Sequence, residues 1–411
     1  MKILLSAYAC EPHKGSEPAV GWNWMLALVK QGHEMWVMTR SNNATSVDAQ
    51  IREHAIPVNP VYYDLPKWCR RWKRWPGGLY FYYLIWQFGA YLRAKKLHAA
   101  QSFDIVHHIT FVTFRQPSFM GWLGIPFILG PVGGGEVTPQ SLRQGLNWSG
   151  SFREMIRDLV IATARFDPLM NATFSKASLI ACTTRETKER VPHRFHAKCM
   201  IMPAIGIDTL QWTASRSSSN AGTNFLFVGR LLYWKGVHLV LRALPEVQRH
   251  IPDARLRVIG EGKDGPWLKR VAEECCATPF VDWIPWMAHK DIVNEYRGNV
   301  AFVFPSFHDS GGMVVLEALA AGLPVICLNL GGPGIIVDSS CGIVLDATNP
   351  DERAVEKSLA AAMITLATQP GSREFLAANC PRRAQQFDWE SAVKKLYSSL
   401  NITAEQLAAP K

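Results

Sequence analysis

The stretch NFLFVGRLLYWKGVHLVLRALPEVQRH, residues 224–250, determines the fold of this chain. It opens with an apolar run of the length of a buried strand, 224–228, and continues through a loop that contains two glycines. From Val237 to His250 the apolar residues recur with the three-to-four-residue spacing of an amphipathic helix. A strand, a loop and a helix in this order form the repeating unit of a parallel sheet that has helices on both faces.

The same alternation extends in both directions along the chain. Strands are predicted at 2–9, 34–39, 104–108, 126–130, 255–259, 280–284, 300–304 and 324–328, and helices at 20–31, 265–276, 289–297 and 312–321. A stretch rich in Ser, Asn and Gly at 214–223 separates the two series and is typical of a linker or surface loop. We therefore predict an α/β fold of two Rossmann-like, doubly wound domains, 1–205 and 206–387, that face each other across a cleft.

The composition is that of a globular protein. Hydrophobic residues make up 48% and charged residues 19% of the 411 positions, a balance that excludes a disordered or fibrous chain. Nine cysteines, none of them in a Cys-x-x-Cys pair, favour reduced thiols in the cytoplasm over a disulfide framework or a zinc site. The net charge is +10, and eight basic residues lie between 65 and 96, where there is no acidic residue.

This basic segment is rich in aromatic residues. The stretch 75–92 carries no charge, but it is shorter than the roughly 20 residues of a spanning helix, opens with Pro-Gly-Gly and contains many Tyr and Trp residues. Aromatic rings flanked by cations suit the headgroup level of a bilayer, so we expect a segment that lies on the membrane surface. The alternative is a solvated face beside a buried aromatic helix. The predicted contacts with an anionic membrane are Trp68, Arg70, Arg71, Trp72, Lys73, Arg74 and Trp75.

Two loops of the second series have the residues of an anion-binding site. Arg230 and Lys235 flank a turn from strand to helix, where backbone amides already favour an anion, and an Arg fork with a Lys charge suits a diphosphate. The other loop runs from Asp309 to a Gly-Gly turn and leads into the apolar helix that contains Glu317. A carboxylate there is costly unless it accepts hydrogen bonds, for instance from sugar hydroxyls. The alternatives are two solvated cations and a Glu on an exposed helix edge.

These residues resemble the motifs of the family-4 retaining glycosyltransferases, which have the GT-B fold. Three segments carry the resemblance: Gly-Arg…Lys-Gly at 229–236, Asp309-x7-Glu317 followed by Ala-Leu-Ala-x-Gly-x-Pro-Val, and Gly-Gly-x-Gly-Ile-Ile at 331–336. The resemblance implies that the N-terminal domain binds the acceptor and the second domain a nucleotide sugar. It also implies that a C-terminal helix within 388–411 crosses back to complete the first domain.

The resemblance further assigns roles to matching positions. Arg230 and Lys235 would hold the donor diphosphate, Glu317 the ribose, and Asp309, which replaces the usual Glu, would lie near the hydroxyls of the donor sugar. The expected donor contacts are Gly15, Arg230, Lys235, Ser310, Gly311, Gly312, Met313 and Glu317. At Gly15-Ser16-Glu17 the chain departs from the paired glycines of the family.

A histidine at the end of the strand predicted at 104–108 typically borders the anomeric region of the sugar in this family. Because neighbouring residues of a strand face opposite sides, only one of His107 and His108 can enter the cleft, and we assign His108. A core histidine is the alternative for either residue. The catalytic set implied is His108, Asp309, Arg230 and Lys235, while His107 and Glu136 are possible contacts of acceptor or donor.

The function expected from the sequence is transfer of a hexosyl or deoxyhexosyl group to a lipid-linked or saccharide acceptor, in glycolipid or surface polysaccharide biosynthesis. The enzyme would lie in the cytoplasm, peripherally on the inner face of the cell membrane. No metal or other cofactor is expected, because cations and helix dipoles replace the metal at the diphosphate. The alternatives are a nucleotide-sugar epimerase or sugar phosphorylase, a catalytically weak membrane scaffold, and a nucleic-acid-binding protein. The concentrated basic segment argues against the epimerase and the phosphorylase, since neither needs a lipid acceptor. A nucleic-acid-binding protein would use the same segment as its footprint, but no nucleic-acid partner is expected.

Overall fold

The structure is a computed structural model that describes residues 1–15, 17–75, 77–164, 166–208 and 222–408. The chain forms two compact units. The first contains Met1–Gly135, Val160–Ala204 and the segment that begins at Trp389, and the second contains Glu136–Leu159 and Ile205–Asp388. Most of the predicted linker 214–223 lies outside the described residues.

The first unit is built on a seven-stranded parallel sheet of strand order β3-β2-β1-β4-β5-β6-β7. Its strands are β1 Lys2–Ala7, β2 Glu34–Thr39, β3 Val58–Tyr62, β4 Ile105–Thr110, β5 Phe127–Val132, β6 Leu179–Cys182 and β7 Cys199–Ile201. Its helices include α1 Glu17–Lys30, α2 Ala44–Glu53, α3 Gly78–Gln101, α5 Pro168–Lys176 and α6 Arg185–Arg190, and helix α4 covers Trp148–Ala164. Strand β4 is buried along its whole length, as expected for a parallel strand covered on both faces.

The second unit has a six-stranded parallel sheet of strand order β10-β9-β8-β11-β12-β13. Its strands are β8 Asn224–Val228, β9 Arg255–Ile259, β10 Val281–Ile284, β11 Ala301–Phe304, β12 Val325–Leu328 and β13 Gly342–Leu345. Its helices are α7 Val237–His250, α8 Gly265–Glu274, α9 His289–Glu295, α10 Met313–Ala320, α11 Pro333–Ile336, α12 Glu352–Thr368 and α13 Pro370–Gln385. The two parallel sheets confirm the predicted doubly wound α/β fold.

The last helix, α14 Trp389–Ala408, packs in the first unit. Its Glu390 accepts a hydrogen bond from Lys30 on α1, with Nζ and Oε1 2.7 Å apart. The buried Tyr397 hydroxyl lies 3.0 Å from Nδ1 of His107 on β4. The chain therefore returns to its first unit after completing the second, which confirms the predicted course of the C-terminal helix.

The segment 136–159 belongs to the second unit, although it lies within the N-terminal half of the sequence. The sequence-based boundary includes it in the N-terminal domain, whereas its contacts place it in the second unit. The Gly145 amide donates to Glu352 on α12 over 2.6 Å, and the Glu154 carboxylate is bonded to Tyr233. Such bonds join positions far apart in the chain, so periodicity does not reveal them.

Candidate functional site

The strand orders fix where ligands bind to such sheets. In each sheet the order reverses next to its first strand, between β1 and β4 in the first unit and between β8 and β11 in the second. Loops that leave the carboxyl ends of two such strands diverge and leave room for a ligand. In the second unit these are the loops 229–236 and 305–312, and they contain the predicted Arg230, Lys235 and Asp309.

The loop after β8 has one position that only glycine can fill. Gly236 has φ of +72°, and a Cβ atom there would lie 2.0 Å from the carbonyl oxygen of Pro305. The close approach brings the two loops together at the start of α7. Arg230 is exposed, and its side chain makes no hydrogen bond or ion pair within the described part of the chain. Its guanidinium is therefore free to receive an anion.

Lys235 and Asp309 form an ion pair between the two loops. The other oxygen of Asp309, Oδ1, accepts hydrogen bonds from the amides of Gly311 and Gly312 over 3.1 and 3.0 Å. Burial alone would raise the pKa of the Asp309 carboxyl, but the charge and hydrogen bond of Lys235 and the two amides lower it on balance. The carboxylate is therefore ionised, and it aligns the turn that precedes α10.

The remaining predicted donor contacts lie on this turn and on α10. Ser310, Gly311 and Met313 are half-buried, and Gly312 has φ of +73°. Glu317 is buried, and its Oε2 accepts a hydrogen bond from the Tyr296 hydroxyl over 2.9 Å. The structure thus brings the predicted residues of the second unit into one neighbourhood.

More cations surround Arg230 than the sequence motifs indicate. Burial lowers the pKa of Lys263, and the nearby charges of Arg153 and Arg230 lower it further. The Nζ atom of Lys263 lies 5.5 Å from the centre of the Trp234 ring. The charge of Asp264 acts in the opposite direction, so Lys263 and Arg153 add positive charge near Arg230 beside one carboxylate. Among the described residues no group of three or more His, Cys, Asp and Glu side chains is placed to hold a metal ion.

A groove of about 620 Å³ lies beside this cation cluster at the carboxyl ends of β8, β9 and β10. Its walls include Leu231, Gly260, Gly262, Trp283 and Pro285. Sequence reasoning did not identify this groove. The available signal was the pair of glycines that follows β9, since glycines at a strand end permit a ligand to approach the backbone.

In the first unit both candidate histidines are enclosed in the core. His107 contacts Tyr397 and the carbonyl oxygen of Gly130, with Nε2 and O 2.7 Å apart. Nε2 of His108 lies 2.8 Å from the Tyr83 hydroxyl and 3.0 Å from Nε2 of Gln87. Burial lowers the pKa of His107 to about 4 and that of His108 to about 3, so both rings are neutral at pH 7. Contact of either ring with a substrate stays a prediction.

Gly15 and Glu136 differ in accessibility. Gly15 is exposed, and a Cβ atom added there would meet no atom within 4 Å, so the loop after β1 is open at this point. Glu136 is buried in the second unit, and its carbonyl oxygen accepts hydrogen bonds from Arg157 over 3.1 and 2.6 Å. The substrate contacts of both residues stay predictions.

The predicted membrane contacts form a surface that we call the basic-aromatic surface, residues 67–75. Lys67–Arg74 is a 3₁₀ helix, and Trp68 and Trp75 are 63% and 62% exposed. Arg70, Arg71 and Arg74 are exposed as well. Trp72 is half-buried and packs against Phe81, with ring centres 5.3 Å apart.

Lys73 differs from its basic neighbours because it points inward. Its Nζ lies 3.9 Å from the centre of the Tyr82 ring and donates a hydrogen bond to the Tyr8 hydroxyl over 3.3 Å. Burial, followed by the charge of Arg40, lowers the pKa of Lys73. The ammonium of this half-buried residue is therefore held by protein groups, and its contact with a membrane stays a prediction.

Helix α3 continues the basic-aromatic surface with an exposed apolar stripe. Phe81, Ile85, Phe88 and Leu92 recur at helical spacing and are exposed, while Tyr82, Tyr83 and Trp86 on the opposite face are fully buried. Arg93, Lys95 and Lys96 are exposed beyond the end of the stripe. In the described part of the chain no helix has both the length and the apolar character needed to cross a bilayer.

A second apolar surface, the α4 stripe, consists of Trp148, Phe152, Met155, Ile156 and Leu159. All five are exposed, Trp148 at 82%, and the rings of Trp148 and Phe152 stack 5.7 Å apart. The residues at 153, 154, 157 and 158 are charged and lie half-buried or buried on the other face. Periodicity alone would assign such a stripe to the protein core, which is why sequence reasoning missed this surface.

Comparison with solved structures defines the fold class. A protein of Anabaena, HepE, solved in complex with UDP, superposes with a TM-score of 0.63 at 15% identity, covering 98% of this chain and 100% of the other. The lipopolysaccharide outer core galactosyltransferase WaaB superposes with a TM-score of 0.61 at 15% identity and 98% coverage of this chain and 100% of WaaB. The chain therefore has the GT-B fold of two parallel-sheet α/β units.

Sequence comparison finds similarity to glycosyltransferases. Residues 212–379 match the family model described as "Glycosyl transferases group 1". D-inositol 3-phosphate glycosyltransferase of Rhodococcus jostii is 27% identical over 333 residues, 76% of this chain and 69% of that protein. Glycogen synthase of Mycobacterium tuberculosis is 31% identical over 189 residues, 45% of this chain and 44% of that protein. The comparisons support a glycosyltransferase of the GT-B fold.

Proposed function

We propose that this protein is a retaining, metal-independent glycosyltransferase that uses a nucleoside diphosphate sugar as donor. The observation that carries the proposal is the convergence of Arg230, Lys235 and the amides of 311–313 at the point where the order of the second sheet reverses. Two cations and a helix N-terminus suit a diphosphate. HepE, which shares the fold, was solved with UDP, UDP-glucose, and UDP with glucose.

In this proposal the second unit supplies electrostatic catalysis. The diphosphate lies against Arg230 and Lys235, and the nucleoside extends into the groove beside Trp283. As the bond between the sugar and the diphosphate breaks, negative charge grows on the leaving group, and both cations stabilise it. Removing one such contact costs about 10²–10³ in rate.

The remaining polar residues orient the donor. Glu317 faces the ribose, and the turn from Ser310 to Met313 contacts the sugar and the phosphates through backbone groups. Lys235 is paired with Asp309, so the diphosphate competes with that carboxylate for the lysine. Gly15 leaves space for the donor at the loop after β1. His108 and Glu136 contact the acceptor or the donor sugar.

We further propose that the acceptor is a lipid-linked sugar or a saccharide, reached at the inner face of the cell membrane. The basic-aromatic surface supports this proposal, because exposed Trp rings and exposed Arg side chains suit an anionic bilayer. Two relatives of the same fold, WaaB and WaaG, are described as acting on lipopolysaccharide or in its biosynthesis. A hexosyl or deoxyhexosyl transfer in glycolipid or polysaccharide synthesis agrees with these features.

The experiment that tests the donor site is calorimetric titration with UDP, GDP, ADP and CMP. We expect one nucleoside diphosphate to bind the wild type, and Arg230→Ala to weaken its binding at least tenfold through loss of a charged hydrogen bond. Arg249→Ala is the matched control, because Arg249 is exposed in the same unit and, among the residues that the structure describes, forms an ion pair with Glu246 alone, over 2.7 Å. Binding that is absent for every nucleotide, or equal in both variants, contradicts the proposal.

A second candidate, a catalytically weak scaffold on the membrane, is favoured by one observation. Asp309 is occupied by Lys235 and two amides, which leaves little of its carboxylate for a sugar hydroxyl. The two functions differ in turnover. Release of nucleoside diphosphate from the matching sugar nucleotide, in the presence of lipid extracts, supports the transferase, while binding to vesicles without any turnover supports the scaffold. Formation of an isomeric sugar nucleotide would instead indicate an epimerase.

A further inference from the structure

A buried carboxylate on helix α4 contacts both loops of the proposed donor site, 229–236 and 305–312, which we call the donor loops. Glu154 is fully buried, and its Oε1 accepts hydrogen bonds from the Tyr233 hydroxyl over 2.7 Å and from Nε2 of His308 over 2.9 Å. Burial raises the pKa of Glu154, but the hydrogen bonds and charge of His308 and Tyr233 outweigh it and lower the pKa to about 2. The group is therefore a carboxylate at neutral pH, although it is enclosed by protein.

The two partners of Glu154 lie on the two different donor loops. Tyr233 is two residues before Lys235 on the loop after β8, and His308 directly precedes Asp309 on the loop after β11. The His308 ring stacks on Trp234, with ring centres 5.2 Å apart at an angle of 23°. One carboxylate thus joins both loops within two residues of the Lys235–Asp309 pair.

Backbone bonds transmit this arrangement to the site. The carbonyl oxygen of Trp234 accepts hydrogen bonds from the Phe307 amide over 2.8 Å and from the Ser306 hydroxyl over 3.1 Å. The two loops are therefore tied on both sides of the Trp234–His308 stack. A change in the orientation of His308 would displace the neighbouring Asp309 and, with it, the ion pair that the diphosphate must enter.

We propose that Glu154 is a positioning residue of the donor site, which orients His308 and so holds Lys235 and Asp309 in the geometry that receives a diphosphate. The inference rests on the proposed function, because it concerns the same site. The inference adds Glu154 to the donor site. This residue lies in the segment 136–159, which precedes all strands of the second unit in the chain and contains none of that unit's sequence motifs. Glu154 does not contact the ligand in this account.

The test compares diphosphate and monophosphate binding. UDP and UMP, with the GDP/GMP and ADP/AMP pairs in parallel, are titrated into Glu154→Gln, His308→Gln and the double variant. We expect each single variant to weaken diphosphate binding about tenfold, since a hydrogen bond to a charged carboxylate is lost. Monophosphate binding should change less than twofold. The double variant should be no worse than either single variant, because both remove the same interaction.

A control variant separates positioning from simple anchoring of the segment. Glu352 is also buried, and it holds the same segment through the Gly145 amide over 2.6 Å, but its hydrogen bonds and ion pairs within the described residues reach neither donor loop. Glu352→Gln should therefore leave the ratio of diphosphate to monophosphate affinity unchanged. Equal losses for both nucleotides, an equal effect of Glu352→Gln, or additive single effects would overturn the inference. If Glu154→Gln does not fold, the ratio of diphosphate to monophosphate affinity of His308→Gln decides on the inference. A wild type that binds no nucleotide refutes the proposed function itself.

Discussion

The basic-aromatic surface contains adjacent cations that the structure treats differently, which permits a sharp test of membrane binding. Arg71 and Arg74 are exposed and make no ion pair within the described residues, whereas Lys73 between them is held against Tyr8 and Tyr82. All three contribute equally to the net charge of the segment. We therefore compare Arg71→Gln/Arg74→Gln with Lys73→Gln, to learn whether exposure or sequence position decides the affinity.

The expected magnitude follows from the exposure of each charge. A cation at the surface of an anionic leaflet contributes about 1 kcal/mol, so loss of Arg71 and Arg74 should cost about 2 kcal/mol, or about thirtyfold in affinity. Lys73→Gln removes a charge that is directed into the protein, and its effect on the affinity should be less than threefold. Lys73→Gln should instead lower the melting temperature, because the contact between the Lys73 ammonium and the Tyr82 ring is lost.

The assay is co-sedimentation with vesicles of phosphatidylglycerol and phosphatidylcholine, at ionic strengths of about 0.05 and 0.5 M, between which surface charges become strongly screened. Neutral phosphatidylcholine vesicles are the control for purely apolar binding. Equal losses for the double variant and for Lys73→Gln would refute the reasoning from exposure. Binding that does not depend on salt or on phosphatidylglycerol would refute the electrostatic component altogether.

Three further predictions concern the second unit. Gly236→Ala should lower the free energy of unfolding by about 2 kcal/mol or more, because the new Cβ meets Pro305 at a positive φ. Gly371→Ala in helix α13 has free space and should raise it by about 0.5–1 kcal/mol, so equal urea midpoints for the two variants would contradict this account. Since the folded pKa of Glu154 is lowered to about 2 from 4.5, its contribution to stability is present above pH 4.5 and is lost as the pH falls toward 2. The unfolding free energy of the wild type should therefore fall more steeply than that of Glu154→Gln in this range, and parallel curves would speak against an ionised Glu154. Finally, excess EDTA should leave the affinity for the nucleoside diphosphate unchanged, and a loss of binding that Mg²⁺ restores would disprove metal independence.

Much of the fold follows from local sequence patterns. Strands 224–228, 255–259 and 34–39 and helix 237–250 agree with the structure residue for residue, and most other boundaries differ by one to three residues. Buried parallel strands are short apolar runs that end at glycine-containing loops, and this pattern is visible without tertiary information. The donor loops were found for the same reason, since their glycines and cations are adjacent in sequence.

Features that depend on contacts distant in the chain could not be predicted. Glu154 resembles an ordinary helix Glu in the sequence, and only the fold brings it to Tyr233 and His308. The inward orientation of Lys73 results from its packing on Tyr82, which lies on the next helix. Strand alternation correctly separated His107 from His108, but the rings occupy opposite faces of a fully buried strand, so alternation cannot tell which of them serves a ligand.

The return of helix α14 to the first unit has a consequence for synthesis of the protein. The ribosome produces β1, α1 and β4 early, but the helix that covers them, with Tyr397 against His107, leaves the exit tunnel only after the entire second unit has been made. Domains generally fold in the order in which they emerge, from the N-terminus onward. In this chain part of the apolar face of the first sheet therefore stays uncovered until the second unit has been synthesised. We therefore expect nascent chains that stall before residue 389 to be held by chaperones, and the second unit to reach its native state first.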